Sequence, residues 1–395
     1  MKLLKKNVIL SYSIFLLLLS IGCGMVGYYG ADKIQTTQEG LDQLTWAMEL
    51  TDKYDDINAA EEKDQFIASC NADNQVYLIQ ADGTVIRSLP SDEIYDNGCY
   101  DYEEDGMAGI KDSSGKVIIK AAYDYIINEN DYFIAYEEEN IPSIYNVKGE
   151  RLYQETEAAD MYYIQDDLFY VFLWANGDTY FLHAETQKKE TKKWDSITFD
   201  RISVDEQGKY WGECDGIHYP LDKNFDMIEG GTVYSAFGEL SEGLRYVEIL
   251  DTKTDRVTSC YVDKQEEIVF TLEGNPVDDA GSFHEGKALI QRGKELICVD
   301  KTGKELFKLK INRRRSAFMF YDTYSYSEGL AAVSLDGDKY GYIDEQGEFV
   351  VPAIFDYARD CKNGYAAVSV YSNGSESKDQ CGILDLRQGG VKDVE

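Results

Sequence analysis

The chain has 395 residues, with 39 basic against 73 acidic side chains and a formal charge of −34. Such a field repels nucleic acid and anionic lipid heads, which excludes direct DNA or RNA binding as a working class; neutral-to-basic partners are expected. A hydrophobic fraction of 44% is enough for a packed core and excludes a disordered chain.

Residues 1–22 read as a signal peptide or membrane anchor. Lys2, Lys5 and Lys6 form a basic start, and Val8 to Ile21 is an apolar core of signal-peptide length. Ser20-Ile21-Gly22-Cys23 then resembles a bacterial lipobox, which makes Cys23 the expected lipidation site. The apolar stretch continues to Gly30, so an uncleaved single span is the alternative and plain secretion a third. In each case the lysines stay inside, and the expected address is the bacterial cell envelope with the body facing outward.

Residues 23–70 read as a linker and an amphipathic helix. Leu41, Leu44 and Met48 fall at helical spacing, as do Trp46, Leu50, Tyr54 and Ile57, and glycine is scarce over 31–66. One helix packed on the following body is expected.

Residues 71–395 read as strands and turns throughout. Turn pairs recur at intervals of roughly 32 to 44 residues, from Asp82-Gly83 through Ser114-Gly115, Lys148-Gly149 and Thr302-Gly303 to Gln346-Gly347 and Arg387-Gln388. A second marker is Ser241-Glu242-Gly243-Leu244, His284-Glu285-Gly286-Lys287, Ser327-Glu328-Gly329-Leu330 and Lys362-Asn363-Gly364-Tyr365. A third is an apolar strand end closed by aspartate, at Asp263, Asp300, Asp344 and Asp385. Glycine in these pairs accepts the positive φ that hairpin turns require. Tyr342 and Ile343 point to opposite faces, as do Val350 and Val351, so both faces of each small sheet are apolar and must be covered. Gly341 and Gly382 would let neighbours approach closely. A period near forty with three or four strands per unit predicts an all-β repeat protein: a β-propeller-like ring of about seven to nine small antiparallel sheets, with a β-solenoid as the alternative.

The unit from Ser327 to Asp356 carries a resemblance. Ser327-Glu328-Gly329-Leu330-Ala331-Ala332-Val333, then Tyr340-Gly341-Tyr342-Ile343-Asp344, Gly347 and Val350-Val351-Pro352, resembles the WG (KWG) repeat of bacterial proteins, with Tyr340 where that family has Trp. The resemblance implies a β-rich repeat array without assigned chemistry. Trp211-Gly212 is out of register with Leu221-Asp222 and is not counted as a match.

Chemistry is sparsely marked. His183, His218 and His284 sit in no metal or catalytic spacing, and no nucleophile elbow or phosphate loop is present. Ser375-Glu376-Ser377-Lys378 fits Ser-x-x-Lys formally but falls in a loop. Asp101, Glu103, Asp105, Gly106 and Asp112 have the spacing of a calcium loop without its bidentate glutamate, and are read as a solvated loop. No two cysteines have Cys-x-x-Cys spacing, and Cys361 and Cys381 are close enough in sequence for a disulfide. No catalytic, cofactor or metal residue is assigned. The expected function is a non-catalytic, envelope-anchored binding or scaffold module. Its partner would be a protein or a neutral-to-basic wall glycan, and membrane contact would be through the anchor only. A carbohydrate-binding or carbohydrate-active propeller is the alternative. Carboxylates with facing tyrosines at the ring mouth would favour that enzyme; side chains filling the centre would favour the scaffold.

Overall fold

The computed structural model describes residues 38–395 apart from 71, 73–74, 92–93, 195–196, 273–276, 312–323, 372–378 and 388–395. Cys23, the Val8–Gly30 stretch and Ser375–Lys378 lie outside the described residues. Among the described residues no helix is long and apolar enough to cross a membrane.

The body is built of eight antiparallel sheets, one of seven strands and the rest of three or four. The seven-stranded sheet is two units joined by one pair, His218 opposite Tyr234, so nine units follow one another along the chain. The strands of unit 1 lie within 56–89, unit 2 within 100–123, unit 3 within 125–154 and unit 4 within 159–190. Unit 5 covers 201–221, unit 6 covers 234–271, unit 7 covers 279–310 and unit 8 covers 326–355. Unit 9 takes Tyr357–Ala358, Tyr365–Val370 and Gln380–Asp385, and its fourth strand is Trp46–Thr51 from the other end of the chain. Met48 faces Ile383 and Thr51 faces Cys381 in that antiparallel clasp.

The expected helix over 31–66 is corrected here. Among the described residues of that stretch only Gln38–Asp42 is helical, and Trp46–Thr51, Asp56–Ala59 and Gln65–Cys70 are strands. The apolar residues are buried as expected, Leu44 at 0%, Tyr54 and Ile57 at 2% exposure, but pairing with Gln380–Asp385 overrides the helical spacing. The polar runs read as a helix face are turns, and Asp64 supplies a positive φ of 59° where glycine is absent.

Eight apolar clusters join consecutive units, from the unit 2–3 junction round to the junction of unit 9 with unit 1. In unit 3, Phe133 and Ala135 pack toward unit 2, while Tyr132, Ile134 and Tyr136 pack toward unit 4. This is the two-sided burial that the strand pattern predicts. Each fully buried Phe or Leu contributes roughly 1.5–3 kcal/mol, so each unit depends on both neighbours. Unit 1 alternates instead: Phe66, Ala68 and Cys70 are buried toward unit 9, and Gln65, Ile67 and Ser69 are half-buried. Among the described residues no apolar cluster links unit 1 to unit 2.

Two local devices set the register between units. An aspartate or asparagine closing the third strand accepts backbone N–H groups two and four residues on. Asp344 does so from Gln346 and Glu348, Asp300 from Thr302 and Lys304, and Asn146 from Lys148 and Glu150. The Glu-Gly or Asn-Gly pair between the first and second strands has positive φ at both positions, for example 55° at Glu328 and 78° at Gly329, the geometry of a type I′ hairpin. Each glutamate of that pair reaches the next unit. Glu242 accepts the Gly286 N–H at 3.0 Å, Glu285 accepts the N–H groups of Glu328 (2.6 Å) and Gly329 (2.8 Å), and Glu328 accepts those of Asn363 (2.8 Å) and Gly364 (2.6 Å). Ser241 and Ser327 add hydroxyl bonds to the carbonyls of Phe283 and Cys361 in the following units. The marker is therefore a ladder of carboxylate caps running from unit 6 to unit 9.

Candidate ligand-binding site on the first strands of units 3 to 5

Each sheet has two edges. The fourth strands are the more open ones, as at Lys188–Glu190, where all three residues are exposed. The first strands are better covered than these, and on units 3, 4 and 5 they carry polar and aromatic side chains. Tyr125 and Glu129 come from unit 3, Asp160 and Tyr162 from unit 4, and Asp200 and Arg201 lie at the start of unit 5. Antiparallel pairing fixes each one, with Tyr125 opposite Tyr136 and Asp160 opposite Phe172.

Two aromatic rings are presented to solvent and held in place. Trp174 is 39% exposed, and its indole N–H donates to Asp160 Oδ2 at 2.8 Å. Tyr125 is 41% exposed, stacks on Tyr136 with centroids 4.6 Å apart, and donates its hydroxyl to Asn140 at 3.3 Å. The Arg201 guanidinium lies 5.2 Å from the centre of the Tyr162 ring.

The electrostatics are lopsided. Burial, with Asp200 adding repulsion, raises the Asp160 carboxyl above its ordinary value. Asp200 is raised by burial and by the charges of Asp215 and Glu213. Burial raises Glu129 too, although Arg201 pulls it back. Burial pushes the Tyr125 hydroxyl up to about 12, helped by Asp160 and Asp124. His218 lies against Phe237 and burial lowers its pKa, so it is neutral near pH 7. Arg201 offsets Glu129 and stands opposite Glu213 in the strand pair, while Asp200 raises Asp160 and Glu213 raises Asp200. Groups held against their preference to ionise, beside fixed aromatic faces, suit a cationic or hydroxyl-rich ligand.

The residues singled out in the sequence fall elsewhere. Asp101 to Asp112 form a hairpin turning at Asp105-Gly106, so the strand backbone alternates Asp101 and Glu103 with Tyr102 and no calcium-type loop forms. Among the described residues no group of three His, Cys, Asp or Glu could hold a metal ion. Cys361 and Cys381 are free and buried; Cys361 Sγ bonds Glu328 and Cys381 Sγ lies 3.3 Å from Ser369 Oγ. His183 pairs with Asp167 at 3.0 Å, and the His284 backbone sits in the hairpin slot that serine fills in units 6 and 8. The first-strand cluster was missed because its members are scattered over 125–213 and come together only through the stacking of units. The ladder glutamates did leave a signal: an exposed acid held at one place in the marker three times over.

Short antiparallel units stacked in series, closed by a strand from the opposite chain end, define a β-propeller-like repeat protein. The family model for the WG containing repeat matches residues 109–139 and 340–373, so the chain carries WG repeats. Each match starts on the strand that pairs with a bulged edge strand, Val117–Tyr123 in unit 2 and Phe349–Phe355 in unit 8, and ends in the next unit. Gly109 and Gly341 occupy the same place in the two copies. A Cβ on Gly341 would lie 2.5 Å from the Val351 carbonyl oxygen, and one on Gly109 would lie 2.6 Å from the Ala121 nitrogen, because the bulged edge strand folds over them. Trp211-Gly212 lies on the second strand of unit 5, outside this register.

No curated protein matches the chain significantly. Among solved structures, dihydro-heme d1 dehydrogenase NirN is 12% identical with TM-score 0.41, covering 93% of this chain and 80% of that one. The computationally designed Ika8 protein is 10% identical with TM-score 0.37, covering 78% and 98%. AztD from Citrobacter koseri is 10% identical with TM-score 0.34, covering 65% and 86%.

Proposed function

We propose that this protein is a non-catalytic recognition module held on the outside of a bacterial envelope by its N-terminus, and that the first strands of units 3 to 5 hold its ligand. The observation carrying this reading is the group of acids on these strands, Asp160 and Asp200 raised by burial and by neighbouring acids and Glu129 beside Arg201, with the fixed rings of Trp174 and Tyr125 next to Asp160. The ligand class is neutral to basic: an amine-bearing glycan or a basic protein segment. Carboxylates attract the ammonium, aromatic faces stack on a sugar ring or an apolar stem, and regular strands keep both in place.

The test is titration of residues 31–395 with a glucosamine oligomer, its N-acetylated counterpart and a polyglutamate. The basic oligomer should bind most tightly, and Asp160→Asn should weaken it by about tenfold, the value of one charge-assisted hydrogen bond. Raising salt should slow association. The raised folded-state pKa values of Asp160, Asp200 and Glu129 mean these groups protonate early as pH falls, so affinity should drop from the upper end of the carboxylate range downward. Displacement of the glucosamine oligomer by polyglutamate at the Asp160 cluster, or salt-independent binding of that oligomer, would overturn the reading. Turnover of the glycan would instead support the carbohydrate-active alternative, which the same carboxylates and tyrosines favour.

The anchor rests on the lipobox-like Ser20-Ile21-Gly22-Cys23. Cells grown with labelled palmitate should label the wild type and not Cys23→Ser. Unlabelled but membrane-retained wild type would replace the lipid with a span.

A further inference from the structure

Among the described residues, the first rung of the carboxylate ladder has no carboxylate on it. In units 7, 8 and 9 the hairpin between the first two strands offers backbone N–H groups that a glutamate from the preceding unit caps. Unit 6 has the same hairpin: Glu242 and Gly243 have φ of 51° and 86°, and Ser241 and Leu244 bridge as His284 and Lys287 do. Its cap would have to come from unit 5. The turn at that place in unit 5 is longer: it runs from Asp205 to Lys209, is held by Asp205 Oδ1 accepting the N–H groups of Gln207 and Lys209, and carries Glu206. Glu206 is held instead by the Arg245 guanidinium, which also reaches Asp205 at 3.4 Å. Arg245 occupies the position filled by Ala288, Ala331 and Ala366 in units 7, 8 and 9, and is 3% exposed across the face of Phe237. Thus the longer turn of unit 5 and the bond to Arg245 together hold Glu206 in another arrangement from the ladder glutamates. The Glu242 side chain is also turned away, to Gly286 and to Lys301 at 2.9 Å.

We propose that the Glu242-Gly243 hairpin is a binding site for the side-chain carboxylate of a glutamate from another polypeptide. The warrant is internal to the molecule. Three hairpins of the same geometry hold a glutamate carboxylate, and successive N–H groups of such a turn form an anion-binding concavity. The contact is local. Lys301 lies against the Glu242 carbonyl at 3.0 Å and offsets part of the surrounding negative field. At ~0.15 M salt, charges beyond about 8 Å are largely screened.

The probe is N-acetylglutamate α-amide, with N-acetylglutamine α-amide as the neutral control, titrated into residues 31–395 carrying 15N-glycine. The Gly243 amide should shift and saturate with the glutamate compound, and should not move with the glutamine compound. Gly286 and Gly329, already capped, should stay in place. Arg245→Ala, which restores the residue of the other units and frees Glu206, should abolish the Gly243 shift. Glu206→Gln leaves the arginine in place and should keep it, so loss of folding in the first variant leaves the second to decide. A Gly243 shift no larger than those of the exposed turn glycines Gly208 and Gly216, or one that Arg245→Ala leaves intact, overturns the proposal.

Discussion

Removing residues 38–51 should unfold unit 9 and loosen unit 8, although no strand of the C-terminal repeats is cut. Those residues supply Leu44, fully buried beside Phe355 and Leu384, and Trp46, whose ring meets Phe355 edge-on at 6.1 Å. They also pair with Gln380–Asp385. Burial of Leu44, Trp46 and Met48 at roughly 2 kcal/mol each, plus ladder hydrogen bonds at about 1 kcal/mol each, puts the loss on the order of 5–10 kcal/mol. The deleted protein should melt in two steps, with cleavage by a protease first appearing between 357 and 387. A synthetic peptide covering 38–55 should restore the single transition when added in excess. Unchanged denaturation of the deleted form would mean that the clasp contributes nothing.

Gly341→Val should be nearly as damaging. The new side chain would meet the Val351 carbonyl oxygen and the Ala353 nitrogen at 2.5 and 2.7 Å, and both are backbone atoms that cannot rotate away. Either the bulge in the fourth strand straightens, pulling Val351 and Phe355 out of their cluster, or the third strand leaves the sheet. A cost of about 4 kcal/mol or more is expected, at the upper end of single-substitution effects. Urea denaturation of the variant should place its midpoint well below that of the wild type, and the equivalent Gly109→Val should behave alike. A midpoint within error of the wild type would show that this glycine is not needed for close approach.

The repeat itself was legible from the sequence because its markers are local. Asp344 and Gly347 make a turn that depends only on residues within it, and Glu328-Gly329 makes a hairpin of four residues. Adjacent apolar residues on opposite faces, as at Tyr342-Ile343 and Val350-Val351, added the two-sided sheets. The segment from Trp46 to Cys70 was misread for the opposite reason. Trp46–Thr51 pairs with Gln380–Asp385, more than 300 residues away, and side chains from that end also reach the segment, Arg359 to Asp56 at 2.9 Å and Lys362 to the Ala60 carbonyl at 2.8 Å. Nothing nearby signals that pairing, while apolar residues at three- and four-residue spacing suggested a helix. The first-strand cluster was hidden in the same way. Glu129, Asp160 and Arg201 are each ordinary polar residues at a strand edge, and only the stacking of units sets one beside another. The ladder was half legible: Glu242, Glu285 and Glu328 were visible as a marker, but their bonds to the following unit follow from the stacking distance.

Hydrogen exchange on the intact protein tests the central claim, that the two ends of the repeat body share one sheet. The amides of Trp46–Thr51 and of Gln380–Asp385 should exchange slowly and together, at the rate set by opening of unit 9 as a whole. Exchange of 46–51 within seconds, while 365–370 and 380–385 stay protected, would contradict it.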